Sequence, residues 1–464
     1  MAHDLQCAKT PVSHFRRRTR AFLAQPRNIH RVGLIAAAFL AGLVAVGYSF
    51  MYRAAEHFSV NTFQHHPYWL ILAAPLCFVL GWWLVNRFAP YASGSGIPQV
   101  MAAVDLHDAR VDPSWISPLL SLRVAVVKIV SSLLCVVGGG AIGREGPTVQ
   151  VSASLFYVLG RYVRSFSPMV ALESWMLAGS AAGMAAAFNT PLGGIVYAVE
   201  ELASKHFSRV RTTVLSAVLV SGLVSQWLVG SYLYLGFPRV GRVGFSVIPA
   251  AFVVGVLGGA LGAAFGDATF RLNVWLRRRL TTRRIKAGLA VALLCGISMV
   301  ALRFVDPRAL GPGNRLVSDI LAGDTVASFK LIGVRFASTM MSYLSGCGGG
   351  IFAPSLAIGA SLGSWVASWW SGTNAVLLAL LGMIAVLTGV TRAPFTSFVL
   401  ILEMTDRHSA IFPMMLAALV ALGSARIFGT ASFYEQSKRA LLRSLEPESA
   451  PAEPTPPPAP TPAV

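Results

Sequence analysis

The sequence predicts an all-α polytopic membrane fold made of two related halves, and three observations carry that prediction. The 464 residues are 55% hydrophobic and only 12% charged, with a mean hydropathy of +0.63. A soluble domain carries about 25% charged residues, so this chain cannot solvate a globule of its size, and its surface suits lipid. Apolar segments recur along nearly the whole length, and two stretches repeat in the same order. A soluble globule, a secreted disulfide scaffold and a disordered regulator are excluded.

The first apolar run, Val32–Met51, is 20 residues long, enough to span a bilayer and too long for a cleavable signal. Further runs follow near 68–85, 119–139, 147–160, 175–199, 212–236, 247–270, 287–304, 328–344, 351–370, 375–390, 394–404 and 411–428. Their lengths are uneven, several are too short to span, and glycine-rich stretches cut many of them. Helices broken at membrane depth are tolerated where they line a cavity or lie buried in protein. Such a pattern points to a transporter or channel.

Residues 1–31 form a basic segment and 32–440 the membrane domain, with halves at roughly 32–236 and 247–440. Pro147–Leu155 aligns with Pro354–Leu362, four of nine positions being identical. Gly179, Ala182, Pro191, Val196 and Glu200 match Gly382, Ala385, Pro394, Val399 and Glu403, each 203 residues on. Repeated halves with interrupted helices place a binding site where they meet, near the midplane. Residues 441–464 are expected to be a disordered, Pro-rich tail, since 447–464 alone hold eight prolines.

The formal net charge is +19. The cations cluster in 1–31, at Lys205, Arg209 and Arg211, across 277–286, and at Lys438, Arg439 and Arg443. Cationic loops stay cytoplasmic, which puts both termini and the 205–211 and 277–286 loops inside. Patches between apolar runs fit this better than nucleic-acid binding. Cys7, Cys77, Cys135, Cys295 and Cys347 include no CxxC pair and indicate neither a disulfide framework nor a zinc site. No cofactor or metal is expected.

Three glycine-rich motifs carry the chemistry: Gly94-Ser95-Gly96-Ile97-Pro98, Gly143-Arg144-Glu145-Gly146-Pro147 and Gly348-Gly349-Gly350-Ile351-Phe352-Ala353-Pro354. In the latter two, Pro147 and Pro354 sit just inside an apolar helical run, where the missing N–H costs nothing. The glycines leave the first backbone N–H groups of the helix open. Such helix starts bind anions, and moderate binding suits conduction. Helix breaks for packing are the plainer alternative, weaker for three motifs than for one.

These motifs, in this order and with a tyrosine near the C-terminus, resemble the CLC family of chloride channels and proton/chloride exchangers. The resemblance runs over about 32–440. It implies two inverted halves of tilted and broken helices, a homodimer with one pore per subunit, and a prokaryotic type without regulatory domains in the bacterial inner membrane. By motif, it implies that Ser95, Tyr434 and the N–H groups of Ile351 and Phe352 hold chloride. Glu145 becomes the gate and proton carrier, and Glu201, placed through Asn189-Thr190-Pro191, the internal proton acceptor. Arg144 and Lys128 supply background positive potential. For Tyr434 an interfacial anchor, and for Glu145 a structural pair with Arg144, are the alternatives.

Proton/chloride antiport is therefore the expected function, with chloride and protons as substrates. A passive chloride channel of the same family is the nearest alternative, and a fluoride/proton exchanger a further one. Glu200 reads as an ordinary salt-bridge residue, and Glu403 and Asp406 as interfacial or structural acids. An intramembrane serine protease using Ser95 would need a base, yet all nine histidines are expected in loops or at segment ends. An ATP-driven pump lacks its phosphate-binding loop.

Overall fold

The computed structural model describes residues 25–109, 111–167, 171–202, 207–230, 233–241, 243–279, 284–370 and 372–445. Most of the basic 1–31 segment, Cys7, Lys205, and residues 446–464 of the Pro-rich tail lie outside the described residues. Helix α1, Pro26–His65, starts inside the segment assigned to the N-terminal arm and runs well past the predicted Met51. Its 40 residues rise about 60 Å, twice the roughly 30 Å hydrocarbon thickness. His57, expected at an end, lies within α1 and is exposed. Residues 441–445, expected in the tail, are the last turn of a helix, Phe433–Leu445.

The first half continues with α2 Trp69–Phe88, α3 Ile97–Asp108, α4 Leu122–Val137, α5 Glu145–Arg164, α6 Leu172–Phe188, α7 Pro191–Tyr197 and α8 Phe207–Val229. The second holds α9 Val247–Arg279, α10 Arg284–Val305, α11 Asn314–Ala322, α12 Phe329–Leu344, α13 Phe352–Ala367, α14 Ala375–Thr391, α15 Pro394–Thr405, α16 Ile411–Arg426 and α17 Phe433–Leu445. No strand occurs among the described residues, only isolated bridges.

Among the described residues, six helical stretches are long and apolar enough to cross a membrane: α1, α2, α8, α9, α10 and the stretch ending in α16. In each, half or more of the apolar window is not buried within the protein, as expected of a lipid-facing helix. The centre is different. Helices α13 and α14, like α5 and α6, are buried along most of their length. At 16 residues α13 rises about 24 Å, so it cannot span, and its N-terminus stops within the protein.

Helices α13 and α14 can lie that deep because their backbones touch. A Cβ on Gly359 would strike the Gly382 carbonyl, and one on Gly382 the Gly359 carbonyl. The close approach trades side-chain bulk for contact, the usual solution where lipid supplies no hydrophobic drive.

The repeat predicted from sequence is visible at the helix breaks. The apolar run 175–199 is two helices, because Asn189 takes a left-handed conformation (φ 57°) and Pro191 starts α7. In the second half Arg392 (φ 62°) ends α14 and Pro394 starts α15, each 203 residues on.

Candidate functional site

The three glycine-rich motifs are stitched together by backbone hydrogen bonds. Gly94 N–H donates to Cys347 O at 2.9 Å, and Gly349 N–H to Gly94 O at 2.9 Å. Gly143 and Gly350 exchange both bonds, at 2.7 and 2.9 Å. Lys128 Nζ donates to Gly94 O at 2.7 Å, and Ser131 Oγ accepts from Gly348 N–H at 3.0 Å. Lys128, expected as background charge, is thus also a strut tying α4 to the Gly94 turn. Gly94 adopts φ +68° and Gly96 φ +102°, which a side chain would resist.

This stitching converges three helix starts. The sequence pointed to α5 and α13; the structure adds α3, whose Pro98 occupies the first turn directly after Gly96. Pro98 was the available signal. With about +0.5 of a charge at each start, the backbone makes the junction a region of positive potential, to which the Lys128 ammonium adds.

Glu145 lies at this junction and is only 1% exposed. Its carboxyl is directed at the backbone N–H groups of Glu145 itself, Ala353 and Arg144, and Oε2 completes no hydrogen bond of standard geometry. A Cβ on Gly143 would collide with that Oε2 and approach Ala353 Cβ and Pro354 Cδ at 3.2 Å. The acid therefore lies between the starts of α5 and α13. Arg144 reaches elsewhere: Nη2 donates to Ala187 O at 3.3 Å, and the guanidinium lies 5.8 Å from the Tyr234 ring centroid.

Ser95 and Tyr434 are buried beside this carboxyl. Ser95 Oγ and Tyr434 Oη face one another, yet neither completes a hydrogen bond. Gly146 leaves the space: a Cβ there would overlap Ser95 Oγ. Tyr434 arrives on α17, held by Lys438, which pairs with Asp105 of α3 at 2.8 Å and Glu435 at 2.9 Å. Tyr434 is fully buried, so the structure does not favour an interfacial anchor. Ile351 and Phe352, at the start of α13, are also fully buried.

Glu200 and Glu201 lie on a wide, π-type turn, Ala198–Leu202, after α7. Neighbours on a helix point about 100° apart, so the pair diverges. Of the cations expected to pair with Glu200, Lys205 and the Arg209 side chain lie outside the described residues, and no salt bridge to Glu200 occurs among the described ones. Instead its carboxylate accepts from the N–H groups of Phe395 at 3.1 Å and Thr396 at 2.6 Å. Glu201 has both oxygens buried, with no hydrogen-bond partner among the described residues. It lies within electrostatic range of Tyr197 and Tyr434. Tyr434 in turn is in range of Glu145.

Two further residues were missed in the sequence. Tyr197 Oη is buried without a hydrogen-bond partner among the described residues, in electrostatic range of Glu201 and Tyr434. Arg335 of α12 is fully buried, and its Nη1 gathers the carbonyls of Arg308, Ala309, Leu310 and Gly311 at 3.0–3.3 Å. An arginine inside an apolar run was the signal for the latter.

The model of one family, described as voltage gated chloride channel, matches residues 76–426. The H(+)/Cl(-) exchange transporter ClcA of Citrobacter koseri is 30% identical over 432 residues, covering 88% of each chain. ClcA of Salmonella arizonae is 30% identical over 439 residues, 89% of this chain and 88% of that one. A solved slow cyanobacterial Cl-/H+ antiporter superposes with a TM-score of 0.77 at 24% identity, over 89% of this chain and 98% of its own. A CLC-type fluoride/proton antiporter gives 0.72 at 24% identity, over 92% and 99%. At these identities the two structures establish the fold.

Proposed function

The chain belongs to the voltage gated chloride channel family, and from that membership we propose that it exchanges chloride for protons across a membrane. The observation that carries this reading is the placement of Glu145, a buried carboxyl at the joined starts of α5 and α13, beside the unpaired hydroxyls of Ser95 and Tyr434. A carboxylate and a halide want the same N–H donors. Ionised, Glu145 fills that place; protonated, it loses its claim and chloride takes it, held by Ser95, Tyr434 and the N–H groups of Ile351 and Phe352. One side chain thus alternates between gate and proton carrier.

A channel needs only the gate. Glu201 supports exchange, because a carboxyl buried without a hydrogen-bond partner among the described residues is costly as an anion and suits a group that takes up and passes on a proton. The 197–202 turn and Tyr434 connect it towards Glu145. The cytoplasmic side is the one bearing the 277–286 loop, both termini and Glu201, so the turn after α10 and the end of α1 face outward. A bacterial inner membrane fits the relatives' type. No cofactor enters the cycle. Leu192, Phe395 and Phe412 are 54–79% exposed on α7, α15 and α16, an apolar face that supports a homodimer.

The test is flux in liposomes with a proton gradient and no chloride gradient. Proton-driven chloride accumulation is expected. Chloride that only dissipates its own gradient, with no proton movement, would make the protein a passive channel.

A further inference from the structure

Glu56 occupies the outer half of α1, one turn after Tyr52 and on the same face. Tyr52 Oη donates to the Ile142 carbonyl, which fixes this turn of α1 against the approach to Glu145. Glu56 Oε2 accepts from Asn314 Nδ2 at 3.2 Å, and Asn314 Oδ1 accepts from Tyr234 Oη at 3.2 Å. Tyr234 lies under the Arg144 guanidinium. Two hydrogen bonds and one ring contact therefore connect Glu56 to the residue preceding Glu145.

Two cavities meet at this carboxyl. One of about 180 Å³ reaches towards Arg303, Arg308, Arg315 and Asp319. The other, of about 150 Å³, is lined by Arg53, Glu56, Arg144, Tyr234, Leu235, Asn314 and Ser318. One water needs on the order of 15 Å³ of such space, so both are large enough to hold several. Glu56 is common to both linings.

The charges around it set the chemistry. From α5 Arg144 and Glu145 lie in electrostatic range, and from α12 Arg335. Its own helix adds Tyr52 and Arg53, and the cavity walls the three arginines and Asp319 named above. Despite so many cations, Glu56 forms no ion pair among the described residues; its hydrogen-bond partner is a neutral amide. Arginines that draw chloride in also repel a hydrated proton. A carboxylate at the cavity wall offers that proton a place to land.

We propose that Glu56 is a proton-transfer residue of the outer mouth, exchanging protons between vestibule water and Glu145 while chloride passes along the arginine side of the same cavity. The proton leaves the Glu145 carboxyl, crosses cavity water to the Glu56 carboxylate, and is released outward, which returns Glu56 to its anion. The proposal rests on the antiport reading and adds an outer counterpart to Glu201.

The experiment compares wild type, Glu56→Gln, Glu56→Asp and Asn314→Ser in liposomes, recording initial proton and chloride rates against outer pH. Glu56→Gln should slow proton movement at least about tenfold, keep calorimetric chloride binding, and shift the outer-pH profile of the proton rate. Glu56→Asp should restore most of the rate. Asn314→Ser keeps the charge but frees the carboxyl, so it should shift the pH profile without abolishing proton flux. If wild type couples protons to chloride but Glu56→Gln matches its rate and profile, this proposal fails alone. The same follows if Glu56→Asp is as slow as Glu56→Gln, or if Asn314→Ser leaves the profile unchanged. If wild type itself shows no coupling, the antiport reading fails and takes this role with it.

Discussion

Glu200 and Glu403 cap each other's helices. The Glu200 carboxylate accepts from the first N–H groups of α15, and the Glu403 carboxylate accepts from Leu192 and Gly193 of α7 at 3.1 and 2.8 Å. Every member of this exchange has its counterpart 203 residues away. Each acid lies near the end of one helix and binds the start of the other, so α7 and α15 run antiparallel about a local two-fold axis. That is the inverted repeat reduced to four hydrogen bonds.

Stability should depend on both caps. A carboxylate on helix N–H groups contributes about 1–2 kcal/mol, so Glu200→Gln and Glu403→Gln should each lower the melting temperature in detergent. Because the two caps join the same pair of helices, the double variant should lose less than the sum of the singles. Equal melting temperatures for wild type and both single variants would show that the caps carry no stability.

Chloride affinity should respond to Tyr434 in a limited way. Backbone donors remain at the start of α13 when one hydroxyl is removed, so Tyr434→Phe should cost about 1 kcal/mol, roughly fivefold in dissociation constant. Isothermal calorimetry on folded protein measures it directly. Unchanged affinity would remove the hydroxyl from the chloride site.

How far the sequence carried depends on whether a residue's partner is local. The three motifs were legible because a helix start that must leave its N–H groups open needs glycine before it and proline just inside, and both are written in adjacent positions. The break at Asn189 had its own cue in Asn189-Thr190-Pro191. The capping role of Glu200 was not legible because its partners, Phe395 and Thr396, are nearly 200 residues away, while the nearby cations offered a local pairing. The repeat had already matched Glu200 with Glu403, and an acid kept at equivalent points of two halves was the missed sign of a shared structural task. Helix α3 was passed over because its sequence is less apolar than the spans, and Arg335 because its carbonyl partners lie in a distant turn.

The docking of α17 should depend on pH. Burial opposes ionisation of Glu435, but hydrogen bonds from Lys438 and Arg439 outweigh it and hold its carboxyl below the ordinary value of 4.5. Burial likewise opposes the charge on Lys438, and its bonds to Asp105 and Glu435 hold its ammonium above 10.5. A depressed acid stabilises above its unfolded value and loses that contribution as pH falls through the folded one; a raised base stabilises below its unfolded value and loses it as pH rises through the folded one. The network is therefore intact between about pH 4.5 and 10.5. Lys438→Met should lower the melting temperature at neutral pH by the equivalent of at most about 1 kcal/mol, since these groups are partly solvated. The gap from wild type should shrink in acid. A gap that is the same at pH 7 and pH 3.5 would contradict the assignment.

The two glutamates of the proposed proton route should fail differently. In the proposed cycle Glu145 competes with chloride for the N–H groups at the start of α13, so Glu145→Gln would remove the ionisable competitor and the proton carrier together. That variant should pass chloride passively with no proton movement. Glu201 lies in electrostatic range of Tyr434, and its oxygens have no hydrogen-bond partner among the described residues. Glu201→Gln should therefore leave the gate able to close, keep chloride flux within a few-fold of wild type, and reduce proton flux to background. Under a proton gradient without a chloride gradient, wild type should accumulate chloride and neither variant should. The discriminating measurement is chloride efflux against outer pH, because protonating Glu145 opens the gate. Glu201→Gln should still speed up as outer pH falls, whereas Glu145→Gln should give a flat profile. A flat profile for Glu201→Gln would place it in the gate rather than on the proton route, and normal pumping by that variant would move the inner proton acceptor to another residue.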